Sequence, residues 1–294
     1  MKSIKNSIPV LLSIFIFTSC NTANKKTGDE PSGEMDLVEI IKAANAISPE
    51  VSSVEDVFHT LDLTEASYYP ILCNDPYNAV NYLNNRVVTA ANLGVYVTDI
   101  VYHMYGNSTE NTFLSFSASQ ELASRMGLES EFGATLLTEL EGGKITRDSL
   151  IIAFSGLMSE SKAYNTKEEM MHVHTAFLTG LYVEKLFITS SLLEQEQKNA
   201  APDEKDIMNY KKMLVIFQNQ FETLHILLTS LEKHQDELKD VFNLEELKKL
   251  AAAATRLEQK SEEILSAPEI TKEEELTAMH LLITNIRNRV VSAS

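Results

Sequence analysis

Residues that interrupt helices are too few in this chain to build anything but long helical segments. Ten glycines and seven prolines are spread over 294 residues, and most sit in the N-terminal segment or where a helix is expected to stop. No stretch keeps the period-two alternation of a strand, so no sheet is expected. The pattern predicts an all-α fold, an antiparallel multi-helix bundle, with two related helical halves as a variant of the same architecture. Short helices are expected at 36–47 and 52–61, followed by a loop holding Pro70, Asn74, Asp75 and Pro76. A long helix at 77–105 ends at Gly106-Asn107, and further helices are expected at 109–126, 130–141 and 146–163. Asn165 with Glu168 reads as the capping box of a helix at 166–197, and Pro202-Asp203 opens one at 203–234. Asn243 with Glu246, and Thr271 with Glu274, mark starts at about 244–265 and 271–291. Along 203–234, Ile207, Tyr210, Leu214, Phe217, Phe221, Leu224, Leu228 and Leu231 alternate spacings of three and four, a seam for antiparallel neighbours. The run Leu250-Ala251-Ala252-Ala253-Ala254 suits a close helix contact.

The first residues follow a different logic. Lys2 and Lys5 precede an apolar run from Ile8 through Phe17, too short for a stop-transfer helix, and then Thr18-Ser19-Cys20. Phe17-Thr18-Ser19-Cys20 resembles the lipobox of bacterial lipoproteins, which implies a signal peptide at 1–19 and lipidation, palmitate included, of Cys20. Two or three acyl chains anchor stably where one does not. The next residues, through Gly33, hold no large apolar side chain and read as a flexible tether, so the expected division is 1–19 signal, 20–35 lipidated cysteine and tether, 36–294 helical domain. Asn21 is not the aspartate that resembles an inner-membrane retention signal, and no acidic cluster follows the cysteine. The analogy points to the periplasmic face of an outer membrane.

Charge narrows the partners. The chain carries −17, and without Lys2 and Lys5 it is −19, 23 basic against 42 acidic residues. Nucleic acid and anionic lipid headgroups would repel it. With Cys20 acylated, Cys73 is the remaining cysteine, so no intramolecular disulfide is expected, and a buried thiol beside Tyr68, Tyr69 and Leu72 is the natural reading.

The stretch 77–105 is the most informative. Between Asp75 and Glu110 only Arg86 and Asp99 are charged, so this helix should be sheltered by others. Yet Asn85, Thr89, Asn92, Tyr96, Asp99 and His103 fall on one stripe. Two readings compete: a hydrogen-bond network with Asp99 and His103 paired at i, i+4, or the polar wall of a small-ligand pocket between helices. The middle of 166–197 is similar, with only Glu184 and Lys185 charged between His174 and Glu194. Gly94-Val95-Tyr96-Val97 and Gly180-Leu181-Tyr182-Val183 form a weak repeat. A mid-helix glycine costs about 1 kcal/mol against alanine, so the two glycines suggest close backbone approach at one interface. If the repeat is real, Tyr182 matches Tyr96 and Lys185 matches Asp99, and an ion pair from Lys185 to Asp99 follows. The candidate binding residues are therefore Asn92, Tyr96, Asp99, His103, Tyr182 and Lys185.

A metal site is the weaker alternative. Glu169 with His172 and Glu222 with His225 both have the Glu-x-x-His spacing of di-iron bundles. About one acid-x-x-His is expected by chance from this composition. The seam also turns Glu222 outward, and no further inward glutamates stand out. No phosphate loop, nucleophile elbow, His-Glu-x-x-His or Cys-x-x-Cys occurs, so no cofactor and no catalysis are expected.

The segment Asn92-Leu93-Gly94-Val95-Tyr96-Val97-Thr98-Asp99-Ile100-Val101-Tyr102 resembles one in helical lipoproteins of Bacteroidota that have no assigned biochemical function. The resemblance implies the same compartment and a helical fold, and transfers no activity. The expectation is a membrane-anchored, periplasm-facing binding or scaffolding module with an unidentified protein or small-molecule partner.

Overall fold

The computed structural model describes residues 61–128, 142, 146, 170–198, 202–270 and 272–293. Expectations for 1–60, 130–141 and 147–163, and for Asn165, Glu168, Glu169 and Thr271, lie outside them. The described residues form helices and turns with no strand, as the scarcity of glycine and proline requires. Two 3₁₀ turns, Pro70–Leu72 and Pro76–Tyr82, lead into α1 (Arg86–Tyr105) and α2 (Thr109–Met126). Then come α3 (Met171–Gln197), α4 (Glu204–Asn219), α5 (Phe221–Lys233), the single turn α6 (Gln235–Leu238), α7 (Leu244–Gln259), α8 (Ser261–Ser266) and α9 (Glu274–Ser292).

The centre is α1. Every residue from Val87 to His103 is buried, because α3 lies along one side, α2 along another and α9 closes against both α1 and α3. The contact of α1 with α3 is the most extensive in the structure, and its cause is the glycine pair. A Cβ on Gly94 would strike the Phe177 carbonyl oxygen and the Leu181 nitrogen, and one on Gly180 would strike the Ala91 backbone. Only at glycine do the two backbones come this near. The Thr98 hydroxyl crosses the seam at the same level, 3.2 Å from the Leu181 carbonyl oxygen. By length and composition α3 could span a bilayer, but 89% of its most apolar stretch is buried inside the protein, as befits a core helix.

Several boundaries differ from expectation. The helix expected from 77 starts at Arg86: Pro76–Tyr82 winds as a 3₁₀ turn, and the Asn85 side chain caps α1 by accepting from the Val87 and Val88 amides. Asn85 thus belongs to the cap and not to the stripe. The helix expected at 203–234 breaks at Gln220, where the Tyr182 hydroxyl donates to the Gln220 carbonyl at 3.0 Å and competes for an acceptor of the helical ladder. Its seam still faces inward, with Tyr210, Leu214, Phe217, Phe221, Leu224 and Leu231 all buried. A second break at Lys260 separates α7 from α8. The starts at Asp203 and Asn243 are side-chain caps, the first a reciprocal box with Asp206, whereas α9 begins after Glu273 without one.

Candidate functional site

The stripe on α1 is buried, and its lower half is a set of hydrogen bonds to one irregular segment. Apart from the Pro70–Leu72 turn, residues 66–75 follow no regular ladder that would satisfy their backbone, and buried peptide groups must bond somewhere. From α1, Tyr105 donates to the Ala66 carbonyl at 2.7 Å, and Tyr102 oxygen accepts the Tyr69 N–H at 2.9 Å. Asp99 Oδ2 accepts the Asn74 N–H at 3.0 Å, and Tyr96 donates to the Asp75 carbonyl at 2.8 Å. His103 Nδ1 lies 2.7 Å from the Tyr68 hydroxyl. Successive turns of the helix thus hold successive residues of the loop.

The upper half points to the chain's last described helix. Asn92 Nδ2 donates to the Val88 carbonyl at 3.0 Å and to the Val290 carbonyl at 3.1 Å. Tyr82, which accepts from Asn74 Nδ2, donates to the Val291 carbonyl at 2.7 Å. Two oxygens of the row, Asn92 Oδ1 and Asp99 Oδ1, are buried without a hydrogen-bond partner, each at a cost of about 1–3 kcal/mol.

Asp99 is 0% exposed. Burial, followed by the charge of Glu184, pushes its carboxyl well above the ordinary range, and Arg287 and the Asn74 amide only partly oppose this. The cation is engaged elsewhere: Arg287 Nε and Nη2 grip the two Glu184 oxygens at 2.9 and 3.0 Å. Its Nη2 also donates to the Leu72 carbonyl at 3.3 Å, and the guanidinium stacks 4.7 Å from the Phe187 ring centre. Burial works to depress Arg287, yet Glu184 and Asp99 hold it above its usual value. Cys73 sits beside this group, its sulfur 3.8 Å from His103 Nδ1. Burial, then the Asp99 charge, raises its thiol well above the normal range, so it is an inert proton carrier rather than a thiolate. Burial lowers His103 to about 4. With the ring neutral, the tautomer protonated at Nε2 lets Nδ1 accept from Tyr68.

Of the six residues expected to line one site, four come together: Asn92, Tyr96, Asp99 and His103. The other two do not. Tyr182 bonds the Gln220 carbonyl, and the α3 side chain turned toward Asp99 is that of Glu184, the neighbour of Lys185. The expected pairing of Asp99 with His103 is also absent, since each is committed to a different residue of the loop. Sequence reasoning missed Arg287, Glu184, Asn74 and Tyr82. Only Glu184 carried a signal, as one of two charges in an otherwise apolar stretch.

Glu222 and His225 are exposed on α5, and His172 on α3 lies near His234, ring centres 6.4 Å apart. Among the described residues no three His, Cys, Asp or Glu side chains gather closely enough to hold a metal. Glu222 and His225 instead face a cleft of about 290 Å³, between the α4–α5 break and the α7–α8 break. Phe221, Ala254, Thr255 and Glu258 complete its wall, and Ser261 donates to Gln218 Oε1 at 3.0 Å across it. Compared with protein-family models, with curated proteins and with solved structures, the chain matches none.

Proposed function

We propose that this chain is a lipoprotein held at the periplasmic face of an outer membrane by acyl chains on Cys20, and that it works by binding or scaffolding rather than catalysis. The observation that carries the reading is the order of Lys2 and Lys5, the apolar run, and Phe17-Thr18-Ser19-Cys20. The likeness of the 92–102 segment to helical lipoproteins of Bacteroidota agrees with it. The buried row supports the non-catalytic part, because Asp99 and His103 are shielded from solvent and committed to holding a loop, and the Cys73 thiol inside that loop is held well above its usual range. A charge of −19 after removal of the signal argues against nucleic acid as the partner.

Labelled palmitate should attach to the wild-type protein, and Cys20→Ser should release it from membranes. Wild-type protein that never takes up label would refute the anchor.

The cleft between the two helix breaks favours a second reading, a small-ligand binder. Its size approaches that of small-molecule sites, and it joins an apolar floor, Phe221 and Ala254, to polar walls. Native mass spectrometry of protein taken from its own membranes should then show a bound small molecule that Thr255→Trp, filling the mouth, displaces. A spectrum unchanged by Thr255→Trp would leave scaffolding as the function.

A further inference from the structure

The segment held from within by α1 leaves four large apolar side chains exposed. Ile71 is 89% exposed, Tyr77 77%, Val80 60% and Tyr69 37%. Tyr77 and Val80 are three residues apart in the Pro76–Tyr82 turn, and at three residues per turn they stand one above the other. The other large apolar side chains exposed among the described residues, Phe113, Ile226 and Leu281, lie singly on three different helices.

Charge singles out the same segment. About a quarter of the chain is charged, 23%, yet from Ala66 to Asn85 the only charged residue is Asp75. Its side chain is occupied in capping the turn through the Tyr77 amide. A charged side chain pays for lost hydration on entering the headgroup boundary, so a segment nearly free of charge is the part of an acidic protein that can enter it at least cost. Tyrosine with aliphatic neighbours is the composition favoured at the boundary between headgroups and acyl chains.

The face is also preformed. Hydrogen bonds donated by Tyr96 and Arg287 and accepted by Asp99 and Tyr102 fix the backbone at 69, 72, 74 and 75, so docking would not have to order a loose loop.

We propose that Tyr69, Ile71, Tyr77 and Val80 form a membrane-docking face that inserts into the headgroup boundary of a zwitterionic bilayer and orients the domain on it. The inference rests on the anchor reading, since Cys20 is what keeps the domain at the bilayer.

The chain contains no tryptophan, so one introduced indole reports its own surroundings. Ile71→Trp and Tyr77→Trp replace exposed side chains and leave the interior untouched. Each full-length lipidated variant is reconstituted in phosphatidylcholine vesicles with brominated acyl chains, with Leu281→Trp as the reference. The expected result is blue-shifted emission, strongly quenched, for Ile71→Trp and Tyr77→Trp, with shallow bromines quenching more than deep ones. That depth order follows from insertion of about 5–10 Å. Leu281→Trp should stay red and unquenched.

Unshifted emission at residues 71 and 77 overturns the proposal. So does a blue shift without lipid quenching, which would mean that a protein, a second copy included, covers the face. Equal quenching at all three positions overturns it too. Fatty-acid labelling of the same samples separates the two readings: label without quenching removes the docking face and keeps the anchor, and quenching without label does the reverse.

Discussion

Replacing Gly180 by alanine sets helix propensity against packing. Propensity favours alanine by about 1 kcal/mol in a helix interior, and on an isolated helix that would decide the outcome. Here the new Cβ falls on the carbonyl oxygen, carbonyl carbon and Cα of Ala91, all backbone atoms that cannot swing aside. The helices α1 and α3 must separate, and such overpacking costs about 1–3 kcal/mol or more. Separation also lengthens the bond from Thr98 to the Leu181 carbonyl, worth about 1 kcal/mol. The balance is a loss of about 2 kcal/mol, and in a domain of this size a melting temperature lower by about 4–8 °C. Thermal and urea denaturation of the full-length protein, followed by circular dichroism, measures it. Gly94→Ala should act in the same direction, and the double variant should lose less than the sum, since one separation relieves both clashes. Gly127 supplies the contrast: its φ is +74° with open space around it, so alanine there costs only left-handed strain, about 1–2 kcal/mol. A Gly180→Ala protein as stable as wild type, or more so, would mean that the two backbones do not meet as described.

Other perturbations address the buried charges. Arg287→Met strands Glu184 without its partner and should destabilise by about 3–5 kcal/mol; adding Glu184→Gln should recover part of the loss, and a double variant as damaged as the single would refute the pairing. His103 binds its proton near pH 4 in the fold rather than near 6.5, so the unfolded chain holds more protons between those values and stability falls as pH drops through that window. His103→Gln should remove that part of the pH dependence, and an unchanged slope in urea titrations would contradict it. Asp99 runs the opposite way. Its raised carboxyl stabilises fully below the ordinary value of 3.8, and this contribution is lost as pH rises toward the folded-state value. Asp99→Asn should therefore gain on wild type as pH increases from 4, and a constant difference would show that the carboxyl is not held protonated.

The sequence made some of this legible through local rules. A stretch with two charges in 34 residues had to hold a central helix, and a mid-helix glycine in each of two apolar helices had to mean contact, because nothing else offsets its cost. The same reasoning failed wherever the partner was distant in sequence. Arg287 carries no local mark of its role; nothing near it signals that Glu184, 103 residues earlier, waits for it. The row on α1 was recognised as polar and inward, but its partner is an irregular loop, and loops carry no periodicity from which such pairing can be read. The break at Gln220 was invisible because no proline or glycine marks it. A tyrosine hydroxyl from α3 takes the carbonyl instead.

The position of Arg287 also governs the timing of assembly. Asp99 and Glu184 leave the ribosome long before Arg287, the side chain that grips Glu184 among the described residues, and until it arrives that acidic residue lacks this counterion. A nascent chain of this kind resists premature compaction. A chain cut short before residue 287 should stay open to proteases at every stage.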